Sequence, residues 1–350
     1  MVKVLIVEDS PVMQEFLTYI INSEPGFNIV GVVSDGIQAV EAVMRLKPNV
    51  IAMDWQMPNL DGKEATRVIM ETNPTPIVIV TGNHAVKDVA VTFSLMEAGA
   101  LAIVKKPHAI NHPDYKNEVF QLVQTLKLMS EIKVVRRYNR TKREFPPEKR
   151  IPEKPIKEKS EIQIVAIGAS TGGPIVLQKI LTGLPKDFPF PLLIVQHISQ
   201  GFVEGFVEWL SKTTNFPLHV ASNGDIPLPG HGYVAPDNFH LGIDGTSKIV
   251  LSNHPPENGL RPSVAFLFRT VAIALGQGAI GVLLTGMGRD GAKELKLMQD
   301  SGAITIAQDE ESSVVFGMPG EAVSLNAANH VLNPDGIIRF LSTFAKNTKK

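Results

Sequence analysis

Reactive side chains recur at the ends of apolar runs in this chain. Ile162–Ile167 is followed by Gly168-Ala169-Ser170-Thr171-Gly172-Gly173-Pro174, which fits the G-x-S-x-G pattern of a nucleophile elbow. Small flanking residues let the chain turn sharply, so the serine oxygen projects at a strand tip. The N–H groups that follow open a helix and can stabilise an oxyanion. Two other readings fit the same turn. One is a phosphate-cradling loop, weakened by the lack of G-x-G-x-x-G and of a Walker lysine. The other is a structural turn with Ser170 as helix N-cap. A nucleophilic serine needs a base and an orienting carboxylate. Of nine histidines, His197 ends the run Leu192–Gln196, and His240 is its rival. Asp290 lies in the loop after Ala279–Leu284. Asp300, on a helix, and Asp309, after a later strand, are weaker candidates.

The front of the chain carries a second constellation. One apolar run ends at Glu8-Asp9, another at Asp54, a third at Thr81, and Lys105-Lys106-Pro107 closes a fourth. Three carboxylates at one sheet edge repel each other unless a divalent cation sits among them. Hard oxygen ligands suit Mg²⁺. A carboxylate can attack phosphorus, with the metal neutralising the phosphoryl oxygens. Thr81 can donate its hydroxyl to such an oxygen, and Lys106 can supply a positive charge. Each piece alone also fits a bland role: Asp9 or Ser10 as an N-cap, Lys-Pro as a turn. His108 and His112 stand four apart with Asp114 nearby, but Pro107 and Pro113 break any helix that would align them on a metal. Met287, Met298 and Met318 read as packing residues.

The elements that must position these groups alternate. In front, strands are expected at Lys3–Val7, Ile29–Val33, Val50–Asp54, Ile77–Thr81 and Ala102–Lys105. Helices are expected at Met13–Asn22, Ile37–Leu46, Gly62–Glu71, Val86–Ala98 and Glu118–Val135. Five such βα repeats predict a parallel, doubly wound sheet, whose ligands bind beyond the carboxyl ends of the strands. Behind residue 160, strands are expected at Ile162–Ile167, Leu192–Gln196, Gly232–Ala235, Ile249–Ser252, Ala279–Leu284 and Ala303–Ala307. Helices are expected at Ile175–Leu181, Gly205–Thr213, Pro262–Ala274 and Ala292–Ser301, again an α/β pattern. No internal repeat is present.

Composition bounds the function. The 350 residues carry 34 Lys+Arg against 35 Asp+Glu, so no basic excess points to nucleic acid or an anionic membrane. There is no cysteine, which removes disulfides, thiolate metal sites and a cysteine nucleophile, and fits a reducing compartment. The apolar run at the N-terminus is too short for a signal peptide. The uncharged stretch from Thr270 to Gly288 is 19 residues long, but its five glycines and Gln277 make it a buried helix followed by a strand rather than a membrane span. Arg136–Ser160 holds ten Lys/Arg, four Glu and four Pro, and too little apolar surface to offset its ordering entropy. It reads as a solvated linker, with docking of an acidic partner the sharper alternative. A flexible chain of that length spans roughly 25–30 Å and holds its two ends at an effective concentration on the order of mM. The expected division is residues 1–130, a flexible charged linker over 131–160, and 161–350.

Val7-Glu8-Asp9-Ser10, Met53-Asp54 through Asp61-Gly62, Thr81-Gly82 and Lys106-Pro107, in that order, resemble the receiver domain of two-component response regulators. The resemblance implies Asp54 as phosphoacceptor and Glu8, Asp9 and Asp54 as Mg²⁺ ligands. Thr81 and Lys106 would sense the phosphate, and Lys106–Pro107 would be a cis bond. Ile103 stands where an aromatic switch residue is common. The rear part resembles the catalytic domain of the chemotaxis protein-glutamate methylesterases. The carrying segments are Ile167-Gly168 to Pro174, Val195-Gln196-His197, Tyr233-Val234-Ala235-Pro236, Arg261-Pro262-Ser263-Val264, Leu284 to Ala292, Gln308-Asp309-Glu310 and Val314 to Gly320. Ala265 departs from an aspartate common among relatives.

This second resemblance implies Ser170 as nucleophile, His197 as general base and Asp290 as its orienter, with backbone groups near Thr171 and Met287 as the oxyanion hole. Together the two imply a flavodoxin-like (βα)5 receiver and a doubly wound, mostly parallel α/β methylesterase domain. The expected function is phosphorylation-activated hydrolysis of glutamyl methyl esters on chemotaxis receptors, with deamidation of receptor glutamines. The unphosphorylated receiver would cover the catalytic edge. Mg²⁺ is expected at the receiver, and no cofactor for ester hydrolysis. Expected partners are methylated chemoreceptors and a chemotaxis histidine kinase, but no nucleic acid. The expected location is cytoplasmic, peripheral to receptor arrays and not membrane-embedded. The competing readings are a non-enzymatic, receiver-controlled binding module and a transcriptional regulator, the latter without a basic recognition helix.

Overall fold

The computed structural model describes residues 1–82, 89–132, 134 and 162–347. Most of the charged segment expected as a linker lies outside the described residues, as does the start of the helix expected from Val86.

The front part alternates β1 (Val2–Val7), α1 (Pro11–Asn22), β2 (Phe27–Val33), α2 (Gly36–Leu46), β3 (Val50–Met53), α3 (Gly62–Thr72), β4 (Ile77–Thr81), α4 (Val89–Ala98), β5 (Ala102–Lys105) and α5 (Tyr115–Ser130). Its sheet is parallel throughout, in the order β2-β1-β3-β4-β5. β3 and β4 are buried along their whole length because helices cover both faces. Each fully buried aliphatic side chain there, such as Ile51 or Ile79, contributes about 1.5–3 kcal/mol. α2 and α3 begin where the side chains of Asp35 and Asp61 accept N–H groups of Gln38 and Glu64. α5 ends at Ser130, short of the expected Val135.

The rear part begins with β6 (Ile164–Ala169), α6 (Gly173–Gly183), β7 (Leu192–Gln196), α7 (Val203–Thr214), β8 (Leu218–Val220) and β9 (Gly232–Val234). A hairpin of β10 (His240–Ile243) and β11 (Ile249–Ser252) follows, then α8 (Val264–Leu275) and β12 (Ala279–Leu283). The chain closes with α9 (Ala292–Asp300), β13 (Ile304–Gln308), α10 (Met318–Ser324), β14 (His330–Leu332) and α11 (Pro334–Asn347). Seven strands form one parallel sheet, β14-β13-β12-β6-β7-β9-β8. Sequence patterning missed β8, β10, β14, α10 and α11. The three strands have only three or four residues each, too few for an alternation to register, and α10 has seven.

Two apolar clusters flank each sheet. The parts meet where Phe93 of α4 enters the rear core. Its ring stacks on Trp209 at 4.5 Å and tilts against Phe206 at 5.3 Å, both on α7. The stretch from Thr270 to Gly288 resolves into α8, a short 3-10 turn and β12, and no described helix is long and apolar enough to cross a membrane.

Candidate active site

Strand order explains where the reactive groups meet. In both sheets the chain runs outward on one side of a central strand and later returns to the other side. Such a reversal leaves a crevice beyond the carboxyl ends of the two strands. In the front sheet β2 and β3 flank β1, so the crevice lies between Glu8-Asp9 and Asp54. In the rear sheet β7 and β12 flank β6, so it lies among Ser170, His197 and the loop carrying Asp290.

In the rear crevice, Ala169 pairs with Gln196 across β6 and β7, and the His197 N–H donates to the Ala169 carbonyl at 2.9 Å. Ser170 and His197 therefore leave adjacent strands side by side. The Ser170 N–H donates to the Thr285 carbonyl at 3.0 Å, which ties the turn to the end of β12. Gly172 caps α6 with φ of 80°, a left-handed conformation, and a Cβ there would meet Val314 at 2.6 Å.

His197 Nε2 lies 3.0 Å from Asp290 Oδ2. Asp290 is 3% exposed and sits on the first turn of α8, where Val264 N–H donates to Oδ2 at 2.6 Å and Ala265 N–H to Oδ1 at 3.2 Å. Burial pushes this carboxyl up. The His197 ring 3.0 Å away, with the two N–H groups, outweighs it and holds Asp290 below the usual carboxylate range. Ala265 thus serves through its backbone.

The rival residues fall elsewhere. His240 is fully buried; its Nδ1 accepts from Ser263 N–H at 3.2 Å and its Nε2 faces the Pro255 carbonyl at 3.2 Å. One ring nitrogen thus faces the cap of α8 and the other the loop that leads into it. Asp300 pairs with Lys296, and Asp309 accepts from Ser312 within its own turn. The N–H groups of Thr171 and Met287 donate to no protein acceptor among the described residues.

Three positioning residues escaped sequence reasoning. Gln196 is 3% exposed, and its Nε2 donates to the carbonyls of Ser170 at 2.9 Å and His197 at 2.8 Å. Thr285 Oγ1 donates to the Thr171 carbonyl at 2.9 Å and accepts from Val315 N–H at 2.9 Å. Gln308 Oε1 accepts Thr285 N–H at 2.8 Å. A polar residue ending an otherwise apolar buried strand was the available signal for Gln196 and Gln308.

In the front crevice, oxygens of Glu8, Asp9 and Asp54 lie within 4.8 Å of one another, the sole such trio of possible metal ligands among the described residues. Lys106 Nζ bridges two of them, 2.7 Å from Glu8 Oε2 and 2.6 Å from Asp54 Oδ2. Burial, then the Asp54 charge, push the Glu8 carboxyl up despite Lys106. Burial works against the charged Lys106, but the two carboxylates hold its affinity for the proton above the ordinary lysine value. A hard, oxygen-only donor set with excess negative charge fits Mg²⁺. Thr81 is 1% exposed at the end of β4, and its carbonyl accepts Lys106 N–H at 2.7 Å. Ile103 is buried among the β3–β4 side residues. Among the described residues the cis peptide bond is Arg261–Pro262; Lys106–Pro107 is not cis, contrary to expectation. His108 Nδ1 pairs with Glu118 at 2.8 Å and its ring stacks on His112, so this pair does not gather a metal-ligand trio.

Residues 165–341 match the model of the CheB methylesterase family, and residues 4–112 match that of the response regulator receiver domain. A protein-glutamate methylesterase/protein-glutamine glutaminase of Geobacter metallireducens is 52% identical over 349 residues, covering 99% of both chains. One from Syntrophus aciditrophicus is 51% identical, again over 99% of each. The crystal structure of the Thermotoga maritima CheB methylesterase catalytic domain superposes with a TM-score of 0.51 at 37% identity, covering 53% of this chain and 99% of that one.

Proposed function

The chain belongs to the CheB methylesterase family, with a response regulator receiver domain in front, and from that premise we propose how its own residues do the work. It is a protein-glutamate methylesterase and protein-glutamine glutaminase under phosphorylation control. Its substrates are methylated chemoreceptors and its phosphodonor is a chemotaxis histidine kinase. It works in the cytoplasm beside receptor arrays, without nucleic acid. Residues 1–130 are the receiver, 131–160 the tether and 161–350 the esterase.

The observation that carries the catalytic assignment is the 3.0 Å approach of His197 to Asp290 beside the Ser170 turn. Ser170 Oγ attacks the γ-carbonyl of the glutamyl methyl ester. His197 takes the serine proton through Nδ1, the nitrogen not facing Asp290, and Asp290 stabilises the resulting imidazolium. The N–H groups of Thr171 and Met287 receive the developing oxyanion, and each such donor is worth about 2.7–4 kcal/mol. The tetrahedral adduct collapses as His197 returns the proton to leaving methanol. Water, deprotonated by His197, then releases the glutamate carboxylate and restores Ser170. On a glutamine the leaving group is ammonia, a poorer one, which makes protonation by His197 more demanding.

In the receiver, Asp54 accepts the phosphoryl group. Glu8, Asp9 and Asp54 hold Mg²⁺, which neutralises phosphoryl charge when bound. Thr81 and Lys106 read the product, and Lys106 must exchange a carboxylate for a phosphoryl oxygen. The Phe93 contact on Trp209, and the packing of Val314 against the receiver core while it also abuts Gly172, support a receiver seated over the catalytic rim. The deciding experiment is methanol release from methylated receptor, with and without phosphodonor, by wild type and Ser170→Ala. Release by wild type alone is expected. No release by wild type, or equal release by Ser170→Ala, removes the assignment.

A further inference from the structure

A peptide unit is planar and trans, so its C=O and the following N–H point in opposite directions. Anchoring a carbonyl therefore aims the next residue's N–H. The two amides assigned to the oxyanion hole each follow an anchored carbonyl. The Gly286 carbonyl, in the peptide unit of Met287 N–H, accepts from Met318 N–H at 2.8 Å and Gly317 N–H at 3.1 Å. That anchor is backbone. The Ser170 carbonyl, in the peptide unit of Thr171 N–H, accepts from Gly173 N–H at 2.8 Å within the turn and from the Gln196 side chain at 2.9 Å.

Gln196 is built for this task. Its two amide protons serve the carbonyls of Ser170 and His197, so one side chain fixes the peptides that follow both the nucleophile and the base. Its Oε1 is buried and meets no donor among the described residues. The donor end is thus the working end, and the acceptor end carries an uncompensated cost. Gly173 makes room for it, because a Cβ there would stand 2.2 Å from Gln196 Oε1.

We propose that Gln196 is a positioning residue for ester hydrolysis, aiming the Thr171 N–H at the oxyanion by holding the Ser170 carbonyl and setting His197 beside it through the same amide group. This rests on the esterase reading above. Because the interaction acts on charge that develops after binding, its loss falls on kcat rather than KM.

The test uses the full chain in four forms: wild type, Gln196→Met, Gln196→Glu and Gly173→Ala. Methionine keeps length without donors, and glutamate turns an acceptor toward two carbonyls. Alanine at 173 displaces the amide while removing no hydrogen-bonding group. Methanol release gives kcat and KM, propylboronic acid gives affinity for a tetrahedral serine adduct, and thermal melting reports folding. Expected is a kcat loss of roughly 10- to 100-fold in the folded variants, smaller than for deleting an oxyanion donor outright. KM should stay within about twofold, and boronate affinity should fall in step with kcat. The proposal is overturned if a folded variant, including Gly173→Ala, keeps wild-type kcat and boronate affinity. It is equally overturned if the loss appears in KM alone. Absence of methanol release by wild type would instead strike the esterase reading, so the two failures are distinct.

Discussion

Asp290 reaches His197 from the opposite side of β6, across the strand that carries Ser170, and rests on the N-terminus of α8 while it does so. One carboxylate thus orients the imidazole and satisfies two amides that a helix start leaves open.

Replacing it tests the first role. Asp290→Asn keeps the shape but loses the charge that stabilises the imidazolium and selects the tautomer. Methanol release should fall by about 10³- to 10⁴-fold, with KM little changed. A loss under tenfold would show that His197 is oriented by something else.

Its second role predicts a pH dependence of stability. The folded-state value of Asp290 lies below its ordinary value of 3.8. The stabilisation is therefore present above that ordinary value and is lost as pH falls through the depressed folded value. Comparing thermal melts of wild type and Asp290→Asn, the gap should be steady from neutrality to about pH 5 and shrink below about pH 4. A gap that grows on acidification contradicts the assigned sign.

Phe93→Ala removes a ring stacked on Trp209 and buried against Phe206. Each 1.4 kcal/mol lost from that contact shifts the balance toward an uncovered site about tenfold. Basal methanol release without phosphodonor should rise, Trp209 fluorescence should change, and activation by phosphodonor should shrink. An unchanged basal rate would mean that this contact does not restrain the esterase.

Asp54→Asn should leave basal release intact and abolish its response to a small phosphodonor such as acetyl phosphate. Removing Mg²⁺ from wild type with a chelator should do the same, because the buried Glu8–Asp54 pair needs a cation to admit a phosphoryl group. Persisting activation in either case would place the switch elsewhere.

Much of this was legible along the chain. Apolar runs of four to six residues leading to Ser170, His197, Asp54 or Thr81 place reactive groups at strand tips, because a parallel strand buried on both faces has a nearly unbroken apolar pattern that stops where the backbone emerges. The ordered motifs supplied the proposed roles. The same uniformity hides sheet order, since every buried strand looks alike. Only the fold decides that β12 returns beside β6, bringing Asp290 across 120 positions to Ser170. Only the fold seats Asp290 on α8, ties His240 to Ser263 rather than to catalysis, and turns the Gln196 amide onto two carbonyls. Phe93 reads locally as one more apolar residue of a largely apolar helix, and its place against Trp209 depends on which faces two separate sheets leave open. Residue type and spacing determine which chemistry is available. Convergence of distant side chains is set by strand order and packing, which local periodicity does not encode.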